Sequence, residues 1–428
     1  MEYCIIEEKQ LEQKSVEMAE YQSKNLHNGV SLNSNKLHHA VGKRSVEGVR
    51  NLIEEGADIN STCSLGYTPL HRAIINNFPE IVEELLSHNA DVNRATLKGK
   101  LPLILAAKYG FVDIVKKLME SKIHTDNRAN VLMESLHYAA KYGHVEVMKC
   151  LLEKGASVNA KNDTGFAALH YSARKGHIKI VEMLVSNYAN INIMTNDGKT
   201  PLHCASKSGR VEIVQYLIEK RALLDVQNKK GFAPLHYSVR QGHLEVVKIL
   251  ANEAIINSRT DKYHTPLHIA AFFGRMEIAE YLIQNGALIN VIDTEGYTPL
   301  HLSALEGQME VVNKLILNNA NIHIRTNDQK TPLHVASFFG RVETVKHLIQ
   351  KGSVINARDT DGYTPLHLSI MGAHLEVVKV LVLKGANIKI RSNAGETPLN
   401  VARRNHHHEI EQYLVEQRRQ QKNANDSD

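Results

Sequence analysis

Tryptophan is absent and aromatic residues make up only 5% of the 428 residues, so any core must be built from Leu, Ile, Val and Ala. Cysteine is scarce as well. Cys4, Cys63, Cys150 and Cys204 lie far apart and form no CxxC pair, which argues against a disulfide framework and for reduced residues in a reducing compartment. With 25 Gly and 10 Pro the chain is neither collagen-like nor a low-complexity tract. Long apolar runs are missing: Val377–Leu383 is interrupted by Lys379 and falls far short of a membrane span. The opening MEYCIIEEKQ is acidic and does not read as a secretory signal. A formal net charge of +5 is too mild to argue for nucleic acid or membrane by itself. The expected address is the cytosol.

What the chain does have is a period. The tetrapeptide Thr-Pro-Leu-His, or a close variant, returns with its last position at His38, His71, Ile104, His137, His170, His203, His236, His268, His301, His334, His367 and Asn400. Ten of the eleven intervals are 33 residues and one is 32. A unit of that size cannot bury a hydrophobic face alone and must stack on its neighbours, which makes the chain a solenoid. Twelve such units leave almost no sequence for a separate catalytic domain.

One repeat shows the expected local structure. In Asp293-Thr-Glu-Gly-Tyr-Thr-Pro-Leu-His301, Gly296 supplies the positive φ of a hairpin tip. Thr298 is a good N-cap, and Pro299 suits a first helical position. A short helix from Leu300 to about Glu306 is stopped by Gly307. Met309 to Leu317 then form a second helix with Val311, Val312, Leu315 and Ile316 inward, ended by Asn319 in the left-handed conformation.

This pattern resembles the ankyrin repeat from about Asn35 to Gln417, through motifs such as Gly198-Lys-Thr-Pro-Leu-His203, Gly143-His-Val-Glu-Val147 and Gly155-Ala-Ser-Val-Asn159. The resemblance implies an all-α repeat solenoid of stacked helix-turn-helix units with β-hairpin loops, and the family's work of binding other proteins. Residues 1–33 are expected to be an extension, either a capping helix or flexible. Residues 34–417 form the array, and 418–428 a polar disordered tail. The last helix, from His408, is polar on its outer face, as a terminal repeat requires.

Departures from the pattern cluster in repeats three to seven. The glycine that ends the second helix becomes Lys122, Tyr188 and Arg221, and repeat seven deletes a residue within Ala251–Ala254. The hairpin glycine is lost at Leu132, Tyr263 and Gln329. Sequence drift explains these changes, and a hinge is the competing reading.

The resemblance places partner contacts on the inner helices and hairpin tips. Four residues after the histidine position stand five cations in succession, Lys108, Lys141, Arg174, Lys207 and Arg240, and then Phe272, Leu305, Phe338 and Met371. The next position adds Tyr109 and Tyr142 to the basic half, and Phe273 and Phe339 to the apolar half. With helices about 8–10 Å apart, each ladder spans roughly 30–40 Å. A basic residue at this position is common in the family, so the cationic ladder also reads as a solvated face. The apolar ladder occupies a position the fold does not need to bury, which marks an interaction site. Just after the turn glycine stand Tyr67, Phe166, Phe232, Tyr297 and Tyr363, which read equally as binding anchors or as packing between loops. Together these features point to a partly acidic protein segment with apolar anchors, helical or extended.

Enzymatic readings fare badly. Of 24 histidines, ten fill the Thr-Pro-Leu-His position, and His144, His177, His243, His374 and His407 follow the mid-repeat glycine position. Both are structural positions in such a repeat, where imidazole bridges backbone groups. His406-His-His408 cannot put three metal ligands on one helical face, and there is no P-loop, nucleophile elbow or GxGxxG after a strand. The expectation is a monomeric, non-catalytic scaffold or adaptor with no cofactor, metal or small-molecule substrate. Richness in Ile, Asn and Lys suggests an AT-rich coding genome and leaves open a secreted effector or toxin-like protein acting on host-cell proteins. A nucleic-acid reader is disfavoured by the mild charge and the interspersed Glu.

Overall fold

The computed structural model describes residues 32–121, 125–252 and 255–425. Among them are 24 helices and no β-strand, so the chain is an all-helical repeat solenoid. It divides into two compact units. The first runs to Ser172 and includes His177–Ala189; the second comprises Ala173–Gly176 and the chain from Asn190 onward.

The ninth repeat, in the second unit, shows why these residues fold this way. Thr298 holds extended backbone and its side chain accepts from the His301 N–H, capping a helix that runs Pro299–Glu306. Gly307 closes it at φ 74. The second helix, Met309–Leu317, has Glu310 in its first turn, facing the positive end of the helix dipole, and buries Val311, Val312 and Leu315. Ile316, expected inward, is only half-buried. Asn319 turns the chain at φ 65. Helices of eight and nine residues are marginal alone in water and owe their stability to packing. In the first helix Pro299, Leu300, His301, Leu302, Ser303 and Ala304 are all buried. The loops are tight turns rather than strands. The Asp293 N–H donates to the Tyr297 carbonyl at 2.9 Å, and the Asn327 N–H of the next turn donates to the Glu295 carbonyl at 3.0 Å.

The joint between repeats is the histidine. The Thr298 N–H donates to His301 Nδ1 at 3.2 Å. A backbone N–H has only a proton to offer, so Nδ1 must present its lone pair and the ring proton sits on Nε2. That proton is donated to the Lys330 carbonyl of the following repeat at 3.1 Å. His268 does the same to Tyr297, His334 to Tyr363 and His367 to Glu396. In the first unit His71 reaches Lys100. The position tolerates loss of the threonine, since the Ala233 N–H still donates to His236 Nδ1 at 3.1 Å. Burial pushes His71, His236, His268, His301 and His334 down to about 4, so each is neutral near pH 7.

The irregular positions have local causes. Tyr188 and Arg221 do hold the left-handed conformation, at φ 63 and 65, as do Tyr263 and Gln329 at φ 60 and 61. Leu132 does not: it is buried inside a helix running Thr125–Tyr142, which replaces the turn and the first helix of repeat four together. The expected hairpin is therefore absent there, because apolar Val131 and Leu132 are buried as part of a continuous helix. In repeat seven the missing residue shortens the second helix to Leu244–Leu250 and leaves Ala251 extended. The final helix continues to Asn425, so residues 418–425 extend it rather than forming the expected unstructured tail. The expected array boundary at residue 34 falls inside the first described helix, Leu32–Gly42. Lys122, Glu253, Ala254, Cys4 and residues 1–31 lie outside the described residues. Cys63, Cys150 and Cys204 are free, the last two buried.

Two predictions follow from these joints. Between pH 6.5 and 4 the unfolded chain takes up protons that the buried imidazoles refuse, so stability is full above 6.5 and is lost as pH falls toward 4. Thermal melting followed by circular dichroism should therefore decline steeply across that window. His301→Asn should keep the cap, as Asn400 does through the Thr397 N–H at 3.0 Å. It should cost about 1–2 kcal/mol at pH 7.5 by orphaning the Lys330 carbonyl, and it should flatten the pH slope. Turn positions should respond with opposite signs. Tyr188 is 90% exposed, so Tyr188→Gly relieves left-handed strain at little packing loss and should stabilise by about 0.5–1 kcal/mol. A Cβ on Gly296 would meet the Asn327 nitrogen at 2.6 Å, so Gly296→Ala should destabilise by more than the strain alone in urea titrations.

Candidate functional site

Stacking leaves exposed only a few positions of each first helix, chiefly the fourth and fifth after the histidine. The backbone there is fixed from the next repeat. In the second unit Arg210 Nε donates to the Arg174 carbonyl at 3.3 Å, His243 Nε2 lies 3.2 Å from that of Lys207, Arg275 Nη2 donates to that of Arg240 at 3.3 Å, and Arg341 Nε to that of Leu305 at 2.8 Å. In the first unit His144 and His177 serve Lys108 and Lys141 in the same way. The residue after the mid-repeat glycine thus ties down the carbonyl of the position that faces outward.

The cations differ in setting. Lys108 and Lys141, in the first unit, are half-buried, each with its ammonium over the tyrosine that follows it, Tyr109 and Tyr142, at 5.3 Å. Arg174, Lys207 and Arg240, in the second unit, are exposed. Of the apolar set, Phe273 is 36% exposed and Phe338 and Phe339 are 41% exposed, while Phe272, Leu305 and Met371 are half-buried. Met371 packs against the core of the last repeats. Phe272 and Phe273 meet edge to face at 5.0 Å, and Phe338 and Phe339 at 5.1 Å. The loop aromatics Tyr67, Phe166, Phe232, Tyr297 and Tyr363 are all half-buried, each against the histidine ring of its own repeat at 5.4–5.9 Å.

Residues from each of these classes converge on a single cavity of about 250 Å³ in the second unit. Its apolar wall is Phe232, Ile269, Phe272, Phe273 and Leu302; Arg240, His264 and His268 supply the polar groups. Both histidines are already bonded: His264 Nε2 lies 3.1 Å from Asp293 Oδ2, and His268 Nε2 serves the Tyr297 carbonyl. The Arg240 guanidinium stacks over the Phe273 ring at 5.3 Å. This is an apolar cleft with a cation at its rim. Among the described residues, no three His, Cys, Asp or Glu side chains are grouped to hold a metal ion, and no helix is long and apolar enough to cross a membrane.

His264, Ile269 and Leu302 were not singled out from the sequence, nor were Arg275 and Arg341. A signal for His264, Arg275 and Arg341 exists in a two-repeat alternation. The residue after the turn position reads Lys199, Phe232, His264, Tyr297, Lys330 and Tyr363, cation or imidazole alternating with aromatic. After the mid-repeat glycine position, Arg210, Arg275 and Arg341 alternate with His243, Gln308 and His374. The Phe272–Phe273 and Phe338–Phe339 pairs fall in the same phase. A search at 33 residues averages this longer period away.

No curated protein matches the chain. The model for ankyrin repeats in three copies matches it in overlapping stretches that run without a gap from residue 17 to residue 426. With the capped helix pairs, the left-handed turns and the histidine joint all in register, the chain belongs to the ankyrin-repeat family.

Proposed function

We propose that this chain is a non-catalytic protein-binding scaffold or adaptor that works in the cytosol as a monomer and receives a helical or extended segment of its partner along the first helices of the second unit. Ankyrin repeats generally mediate protein–protein interaction. The observation that carries the reading is the pair of phenylalanine dyads. Phe273, Phe338 and Phe339 stay exposed at positions that the repeat does not bury, and contiguous exposed apolar surface is characteristic of interaction sites. Rigid aromatics lose little entropy on binding, which suits them to anchor a partner. The histidines of the Thr-Pro-Leu-His position, which would suggest chemistry by their number, are engaged in joints between repeats. Lys108 and Lys141, each stacked on its own tyrosine, read as solvated face rather than contact. The loop aromatics contribute as walls of the cleft, as Phe232 does, rather than as free anchors.

The test is affinity capture from cell lysate with the intact protein beside the variant Phe272→Ser, Phe273→Ser, Phe338→Ser, Phe339→Ser, after circular dichroism has shown unchanged helicity. Captured partners should be lost by the folded variant. Partners retained at full strength would show that the phenylalanine surface is not the site.

A further inference from the structure

We propose that the cavity between Phe232 and the Phe272–Phe273 dyad is a subsite for one large apolar side chain of an acidic peptide segment, with a carboxylate beside that side chain seated on Arg240. This rests on the protein-binding reading above and names the chemistry that this part of the surface selects.

Size sets the first limit. A cavity of about 150 Å³ suffices for benzene, so one of about 250 Å³ admits a single phenyl- or indole-sized group and not a second. Rings on the wall offer it edge-to-face partners, since Phe272 and Phe273 already stand at 75° to one another.

Charge decides what surrounds that group. Arg240 is exposed, and among the described residues its guanidinium has no carboxylate partner: it rests only on the face of Phe273. Two of the carboxylates on the elements lining the cleft are already engaged. Asp293 accepts from the Tyr297 and Glu295 N–H groups and faces His264, and Glu306 lies 3.9 Å from Arg341 Nη2. Lys207 and Arg174 stand exposed at the equivalent positions of the two preceding repeats of the same unit. The rim therefore carries unbalanced positive charge, and an acidic segment is the complement. A planar guanidinium on an aromatic face also presents its edge to a carboxylate in forked geometry.

The chain contains its own control. Two repeats further on, Tyr297, Leu305, Lys330, Phe338 and Phe339 take the register positions of Phe232, Arg240, His264, Phe272 and Phe273. The arginine has become leucine, and Lys330 is paired with Asp328 at 3.1 Å. That second dyad keeps the aromatic edge and lacks the uncompensated cation, so it should not discriminate by charge.

The measurement is fluorescence anisotropy with a labelled heptapeptide of one phenylalanine flanked by Asp and Glu, beside a lysine-flanked and an alanine-centred version. The acidic phenylalanine peptide should bind about tenfold more tightly than the lysine version at low salt, and the preference should shrink as salt rises. Arg240→Glu, a change at an exposed residue that leaves the fold alone, should reverse the preference. Phe272→Ser with Phe273→Ser should abolish the preference for the acidic peptide, leaving only the weaker, charge-indifferent binding of the second dyad. Equal binding of the two charged peptides, indifference to Arg240→Glu, or no binding of the acidic peptide would each overturn the proposal. If lysate partners depend on the phenylalanines but the peptide fails, the subsite is wrong and the binding surface stands. If the peptide binds as expected but lysate partners ignore the phenylalanines, the surface reading fails and the subsite stands.

Discussion

Most joints in this array depend on a neutral imidazole with both nitrogens committed. Nδ1 takes the N–H at the start of its own helix and Nε2 gives its proton to a carbonyl of the following repeat, as His301 does between Thr298 and Lys330. Only histidine offers an acceptor and a donor on opposite edges of one rigid ring. The arrangement works because the ring is buried and therefore uncharged, and burying it without both bonds would cost more than it returned. A helix of seven or eight residues, too short to persist alone, is thereby fixed to its own turn and to its neighbour. The same commitment removes these histidines from chemistry, since a nitrogen holding a backbone group is not available to a metal or a substrate.

A second set of bonds decides what the surface shows. By tying down the carbonyl of the fourth position, Arg275 and Arg341 hold the helix ends that carry Arg240 and Leu305. What those positions display is then free to vary, and it changes from five successive cations to four successive apolar residues. The fold needs a small residue after Ala304 or Ser337 no more than it needs an aromatic one, so Leu305 and Phe338 reflect something other than packing. An apolar cleft with an arginine stacked at its rim is the consequence in repeats seven to nine, and a leucine in the arginine's place makes the next copy different in kind.

The irregular repeats show how much the scheme tolerates. A left-handed turn without glycine is accepted at Tyr188 and Arg221, where a Cβ at the equivalent glycines, such as Gly286, would have nothing within 4 Å. At the loop tip the margin is smaller, because the next loop's backbone passes within van der Waals distance of Gly296. Repeat four takes a third route. Its turn is replaced by helix from Thr125, and the histidine joint survives regardless, with His137 Nε2 3.0 Å from the Ala160 carbonyl.

The repeat, its caps, its two helices and its histidine position were legible in the sequence alone, because each follows from local rules: threonine caps, proline begins, glycine ends, and a 33-residue period repeats the result. The exposure of Phe273, Phe338 and Phe339 was legible for the same reason, being the remainder once the buried positions are assigned. Tertiary structure decided the rest. Whether Leu132 marks a strained turn or a helix depends on what Val131 and Leu132 pack against, and that is set by neighbouring repeats. The loop aromatics could be read as anchors or as packing until their rings were seen against their own histidines. The cleft itself draws Phe232, Arg240, Phe272 and Leu302 from three successive repeats, and no rule that reads one repeat at a time can bring together residues whose nearness is created by stacking.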